Sequence, residues 1–198
     1  MKPQLKLVVG LGNPGLQYLF TRHNAGFAVV EQLAIGCNAH FSAKRSFYCD
    51  LAKAQLGGCD VLLAKPQTYM NVSGKAVVAI LNWYKLMPGD LMVIHDDVSL
   101  PLGKIRLQKN GGAGGQHGVE SIIEHLGGRK DFDRLKLGVG PDPGGFDRAD
   151  YVLAPVPQEQ RELFERSVTT SAEAVISWLE NGLEKAMNQF NGLELGTP

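Results

Sequence analysis

Several features that would assign a chain at sight are missing from this one. No stretch of eighteen apolar residues occurs, so no transmembrane helix is expected. The opening MKPQLKLVVG has no apolar core and no small-residue cleavage site of the secretory kind, which points to the cytoplasm. Cysteine is scarce: Cys37, Cys49 and Cys59 are odd in number and show no C-x-x-C spacing. That argues against disulfides and a zinc site and reads as three packing thiols in a reducing compartment. Net charge is absent, with 20 basic against 20 acidic residues, so the total names no polyanionic partner. There is no G-x-S-x-G elbow to support a serine nucleophile. No H-x-x-x-H or similar spacing joins His95-Asp96-Asp97 to make a metal site.

What is there is an ordinary globular composition, 198 residues with 44% hydrophobic and 20% charged, most simply one domain over 1–198. The charge is unevenly spread. Residues 158–198 hold seven Glu against Arg161, Arg166 and Lys185, a net of −4, which leaves +4 on residues 1–157. Residues 101–117 carry Lys104, Arg106 and Lys109 and no acid. Such a strip can neutralise phosphates or, equally, guard an exposed strand edge.

Short apolar or alternating runs predict strands over 5–9, 47–56, 60–65, 91–94, 104–107 and 134–139. Apolar residues at i, i+3, i+4 spacing predict helices over 25–35, 72–86, 117–126 and 158–181, with a short terminal helix after Gly182. Residues 111–118 are glycine-rich, and 141–145 form a loop by composition. Strands and helices alternate, so the expected class is α/β: a single domain with a mixed, mostly parallel twisted sheet flanked by helices, of phosphorylase/hydrolase-like kind.

The chemistry gathers in the opening stretch LKLVVGLGNPGLQYLFTRHNAGF, residues 5–27. A strand that ends in a Gly/Asn/Pro turn puts polar groups at the carboxyl edge of a sheet, where open α/β sheets bind ligands. His23 is the side chain there best suited to proton transfer near neutral pH. Gly10-x-Gly12-x-x-Gly15 matches the dinucleotide fingerprint as a string. The expected helix is interrupted at Thr21 to Gly26, however, and no acid follows a second strand to hold a ribose. Ser73-Gly74-Lys75-Ala76 fails as a phosphate loop, because Tyr69 stands where the first glycine belongs and Ala76 where magnesium needs a hydroxyl. The glycine-rich run at 111–118 could cradle a phosphate or act as a lid. Asp96 or Asp97 could accept the Nδ1–H of His23 if their strands are neighbours. Asn13 and Asn71 follow apolar strands and could grip a carbonyl without competing for the proton, or simply cap turns.

Taken in order, these pieces resemble the bacterial peptidyl-tRNA hydrolase family. The likeness is carried by Gly10-Leu-Gly12-Asn13-Pro14-Gly15, Tyr18 and Thr21-Arg22-His23-Asn24-Ala25-Gly26. It continues through residues 65–74 (KPQTYMNVSG), His95-Asp96-Asp97 with Leu100-Pro101, and the glycine-rich 111–118. It runs from about residue 5 to 192. The resemblance implies hydrolysis of the ester joining a peptide to the terminal ribose of tRNA. It places the general base on His23, the orienting carboxylate on Asp96, and the selection of blocked aminoacyl groups on Asn13. Substrate contacts fall on Tyr18, Tyr69 (commonly Phe) and Asn71. No metal and no cofactor are implied, no membrane is involved, and the partner is peptidyl-tRNA, bound by its acceptor stem and terminal adenosine to a monomer.

Three departures stand out. Gly115-Gln116-His117-Gly118 replaces the family's usual Gly-His-Asn-Gly, so His117 occupies a substrate-binding asparagine position. Imidazole donates one hydrogen bond but lacks an amide's paired donor and acceptor. A lysine of the family's tRNA-backbone site aligns with Gln108, leaving Arg106, Lys109, Arg134 and Lys136 to meet phosphates. A neutral chain in a family that is often basic implies salt-sensitive tRNA binding. The competing readings are a relative that binds RNA without hydrolysis, and a nucleotide-dependent oxidoreductase. Retention of His23 with Asp96 favours the enzyme over the first, and saturable cofactor binding at Gly10 to Gly15 would be needed for the second.

Overall fold

A computed structural model describes residues 4–141 and 148–196. The strands are β1 (Leu5–Gly10), β2 (Ser42–Lys44), β3 (Cys49–Leu56), β4 (Cys59–Pro66), β5 (Leu91–Pro101), β6 (Ile105–Lys109) and β7 (Asp133–Gly140). The helices are α1 (Ala25–Gly36), α2 (Ser73–Tyr84), α3 (His117–His125), α4 (Arg148–Leu153), α5 (Gln158–Asn181) and α6 (Leu183–Phe190). All seven strands join one sheet in the order β2-β3-β4-β1-β5-β7-β6. Its centre, β4-β1-β5-β7, is parallel, while β3 pairs antiparallel with β4 and β2 with β3 at one margin, and β6 pairs antiparallel with β7 at the other. The expected mixed α/β sheet is therefore present.

The sequence of β1 shows why the sheet is covered on both sides. Leu7 and Val9 are fully buried in a cluster with Ala76, Ile80 and Ile122 of α2 and α3. Val8, pointing the other way, packs with Val29, Val175 and Phe190 of α1, α5 and α6. A strand whose apolar residues alternate between both faces, as Leu7, Val8 and Val9 do, must have a helix layer on each face. Within α5 the buried Val168, Ala172 and Val175 fall on the stripe expected from periodicity, and Trp178, outside that expectation, extends it.

β5 outruns its expected end at Ile94. It pairs with β7 from Met92 to Asp97, and after a register shift Pro101 pairs with Gly140. The polar His95-Asp96-Asp97 thus stays in strand geometry, because ladder pairing rather than side-chain apolarity continues it. β2 and α4 were not expected; three exposed residues and a six-residue helix are too short for a periodic signal. Apart from Pro141, the loop read at 141–145 lies outside the described residues. Among the described residues no helix is long and apolar enough to cross a membrane.

Three features of this frame bring the motifs together. Gly10 at the end of β1 pairs with Ile94, so the carboxyl end of β1 lies beside the point where β5 enters His95-Asp96-Asp97. A Cβ on Gly10 would meet the Gly26 carbonyl, and one on Gly26 would meet the backbone of Leu11 and Ile94. The start of α1 therefore lies directly on the strand ends. Finally, Arg22 N donates to the Ala154 carbonyl (3.3 Å) and Val156 N to that of Phe20 (2.9 Å), which draws α4 over the same edge.

Candidate active site

His23 closes a 3₁₀ turn, Arg22–Asn24, immediately before α1. Its Nδ1 lies 2.9 Å from Asp96 Oδ2, and both side chains are nearly buried. An ionised carboxylate only accepts, so Nδ1 carries the hydrogen and the neutral ring keeps its lone pair on Nε2. Asp96 Oδ1 accepts from Gln116 Nε2 at 3.0 Å. Gln116 is the N-cap of α3; its Oε1 accepts from the backbone N–H of Gly118 (2.7 Å) and Val119 (3.0 Å).

The asparagines complete the circuit. Asn13 N donates to Asn24 Oδ1 (2.8 Å), and Asn24 Nδ2 returns a bond to the Asn13 carbonyl (3.1 Å). Asn13 Oδ1 accepts from Met70 N at 2.8 Å, and Gln116 Nε2 also reaches Met70 Sδ at 3.4 Å. The Asn13 amide is thereby oriented with its oxygen spent, leaving Nδ2 as a donor for the cleft.

That cleft has a volume of about 460 Å³. It is lined by His23, Asp96, Asn13, Tyr18, Tyr69, Asn71 and His117, so all the catalytic and substrate-binding positions read from the sequence converge here. Asn13, His23 and Asp96 form the buried floor, while Tyr69 and His117 stand at an exposed rim. His117 Nδ1 is 3.4 Å from Glu120 Oε2 across one turn of α3, a solvent-exposed pair.

Asp97 is not the orienting carboxylate. Its Oδ1 accepts from the Ser99 backbone (2.8 Å) and hydroxyl (2.6 Å), and its Oδ2 pairs with Lys136 Nζ at 3.0 Å. Burial alone would raise its pKa, but the bonds from Ser99 and Lys136 outweigh burial and hold it below the usual carboxylate range. His95 is buried, and burial keeps its pKa low despite the bond its Nδ1 donates to the Asp96 carbonyl (2.7 Å). The three neighbours thus turn their side chains to different partners. Among the described residues no three His, Cys, Asp or Glu side chains converge as a cation site would need.

The basic residues divide. Arg106 and Lys109 are exposed on β6 and enter no ion pair among the described residues. Arg134, expected to meet phosphate, is instead fully buried. Its guanidinium donates to the carbonyls of Gly112 (2.6 Å) and Gly111 and stacks 4.6 Å from the Phe132 ring. It anchors the glycine-rich run from below, because its strand register turns the side chain under that loop. Lys136, likewise expected to face phosphate, is largely buried and held by Asp97.

Sequence reasoning missed Gln116, Asn24 and the α4 wall. Gln116 stood in view as the polar residue between the glycine run and the helix at 117, read only as part of a departure from the family pattern. Arg148, Val152 and Leu153 of α4 line the cleft opposite the sheet edge. α4 is held there by Arg22, which donates to the carbonyls of Tyr151 and Pro155 (both 3.3 Å) and lies 4.2 Å over the Tyr151 ring.

Comparison with known proteins bears out the resemblance. Residues 7–197 match the family model described as peptidyl-tRNA hydrolase. The peptidyl-tRNA hydrolase of Elusimicrobium minutum is 47% identical over 187 residues, covering 94% of this chain and 99% of that protein. That of Desulforamulus reducens is 46% identical over 188 residues, 94% and 89% of the two chains. The crystal structure of peptidyl-tRNA hydrolase from Acinetobacter baumannii superposes with a TM-score of 0.90 at 35% identity, covering 99% of each chain. The family model covers nearly the whole chain and relatives reach 47% identity: this chain belongs to the peptidyl-tRNA hydrolases.

Proposed function

We propose that this cleft hydrolyses the ester joining a peptide to the terminal ribose of tRNA, with His23 as general base and Asp96 orienting it. The observation that carries the reading is the 2.9 Å His23–Asp96 bond, which leaves Nε2 as acceptor in a cleft beside the Asn13 amide. Nε2 takes a proton from water while the hydroxide adds to the ester carbonyl carbon. The tetrahedral oxyanion collects neutral donors, Asn13 Nδ2 first, with Asn71 at the rim. The bond to the ribose oxygen breaks, and the imidazolium returns its proton to that leaving oxygen. The products are the peptide acid and tRNA with a free terminal hydroxyl, so atoms and protons balance without a further reactant.

Tyr18 and Tyr69 offer ring faces at the mouth for the terminal adenosine, and Arg106 and Lys109 meet phosphates of the acceptor stem. Asn13 discriminates N-blocked from free aminoacyl groups by gripping the amide next to the ester. All of these groups come from one chain, which supports a monomer. A substrate made during translation and three free thiols support the cytoplasm.

The test is release of N-blocked amino acid from N-acetyl-aminoacyl-tRNA. His23→Ala is expected to lower kcat about 10²–10⁴-fold with tRNA still bound. Native activity should be lost on acidification, because a protonated imidazole cannot accept the water's proton. A rate that does not fall in acid removes His23 as base. Turnover gained only on His117→Asn would show an intact site retuned at its rim; no turnover in any variant, with tRNA bound, would favour RNA binding without hydrolysis.

A further inference from the structure

We propose that Gln116 is a positioning residue for the His23–Asp96 pair, coupling the carboxylate to the start of α3. The inference rests on the reading of His23 as the general base. Its geometry is independent of that reading.

The argument begins with the amide itself. Gln116 Oε1 accepts two backbone N–H bonds, from Gly118 and Val119, so the oxygen end of the group is assigned. The NH₂ end must then face Asp96 Oδ1, which at 3.0 Å has no hydrogen of its own to give. Each carboxylate oxygen thus has one donor: Gln116 on Oδ1 and His23 on Oδ2. Two donors fix the carboxylate's rotation about its last bond, and with it the plane in which the imidazole lies. The cap bonds draw the amide toward the positive end of α3, which polarises it as a donor to Asp96.

The surroundings hold this arrangement rigidly. Gln116 is buried, and a Cβ on Gly118 would meet Met70 Sδ at 2.5 Å and Gln116 Oε1 at 3.0 Å. The first turn of α3 therefore seats against Met70 only because residue 118 has no side chain. The other charged and titratable groups around the pair have partners or lie at the rim. From β5, His95 bonds the Asp96 carbonyl and Asp97 pairs with Lys136 of β7. From α3, His117 pairs with Glu120. From the turn that carries His23, Arg22 faces the carbonyls of Tyr151 and Pro155, and from α4 Arg148 stands exposed at the edge of the cleft.

A mere helix cap and a positioning residue give opposite results with two substitutions. Gln116→Asn keeps a cap of the preferred kind but is one methylene too short to reach Asp96. Gln116→Glu keeps both the cap and the reach, and its outer oxygen can face Asp96 Oδ1 only with a proton between them, so it remains a donor. The Asn variant is expected to melt no lower than native and to lose about tenfold in kcat, with KM within about twofold. In the Glu variant that proton keeps a donor on Asp96, so kcat is expected within about threefold of native. The Nδ1–H proton resonance of His23, recorded without substrate, reads the bond to Asp96: it is expected to move in the Asn variant and to stay in the Glu variant, and His23→Gln identifies it among the five histidines. An Asn variant with native kcat, or with an unmoved Nδ1–H resonance, overturns the proposal. If the native protein proves inactive, that resonance alone decides it, and the two failures stay distinct.

Discussion

Asp96 and Asp97 are chemically identical neighbours in one strand, yet their side chains leave opposite faces of the sheet. One meets His23 and Gln116, the other Ser99 and Lys136. A third carboxylate shows the cost of a less complete setting. Burial raises the pKa of Asp133, despite the bond from the Trp178 indole N–H (2.8 Å) and the nearby Lys109 and Lys6. A folded pKa above the unfolded one means that folding favours the protonated acid. That contribution is full below the unfolded value of about 3.9 and is lost as pH rises through the folded value. At pH 7 the charge is thus a net cost. Asp133→Asn keeps an acceptor for Trp178 without the charge, so it is expected to raise Tm at pH 7, and melts repeated near pH 4 should show the gain shrinking. A lower Tm at pH 7 would refute this balance. Cys49 shows the same force without an opposing bond: burial, helped by Asp50, pushes its thiol up to about 12, as a packing cysteine requires.

At the scale of elements, the approach of α1 to the ends of β1 and β5 decides whether a site exists at all. The helix starts two residues after His23, and its second residue, Gly26, lies against the backbone of Leu11 and Ile94. These neighbours are main chain and cannot rotate aside. Gly26→Ala is therefore expected to cost at least about 2 kcal/mol of stability. By lifting the helix it should also separate His23 from Asp96, so that turnover falls together with Tm. A variant with native melting and native turnover would show that the strand ends have more room than the geometry allows. The same reasoning disposes of the dinucleotide reading of Gly10, Gly12 and Gly15. Gly10 admits the Gly26 carbonyl and Gly12 the Phe27 ring, so these glycines seat a helix instead of a pyrophosphate.

For the whole molecule, charge is sorted by region, and the sorting matters more than the zero total. The acidic 158–198 segment forms α5 and α6 on one face of the sheet, where Glu194 pairs with Lys104 at 2.8 Å. With Lys104 paired, Arg134 buried and Lys136 held by Asp97, only Arg106 and Lys109 of the expected cations remain exposed without ion pairs among the described residues. Of the expected cations these two are left to meet phosphates, and tRNA affinity should fall as salt rises. Arg106→Ala and Lys109→Ala are each expected to reduce the slope by roughly 0.7–0.9 in a plot of log K against log salt, leaving kcat unchanged. Filter binding at several salt concentrations measures it, and slopes equal to native would place the phosphate contacts elsewhere.

By itself the sequence determined the longer elements and most of the residues lining the site. The apolar run of β1, the three-and-four stripe of α5 and the order of His23, Asn71 and Asp96 are local signals, because side-chain periodicities of 2 and 3.6 are written in neighbouring residues. Only the tertiary structure decided which of two adjacent aspartates serves His23, since that partner lies 73 positions away and depends on β1 and β5 being paired. It likewise buried Arg134 beneath the glycine run, brought α4 across the cleft through Arg22, and turned Gln116 from a loop residue into the second donor to Asp96. Each of those outcomes rests on contacts between distant segments, whose geometry is set by sheet register and helix seating, and neither leaves a periodic mark in the chain.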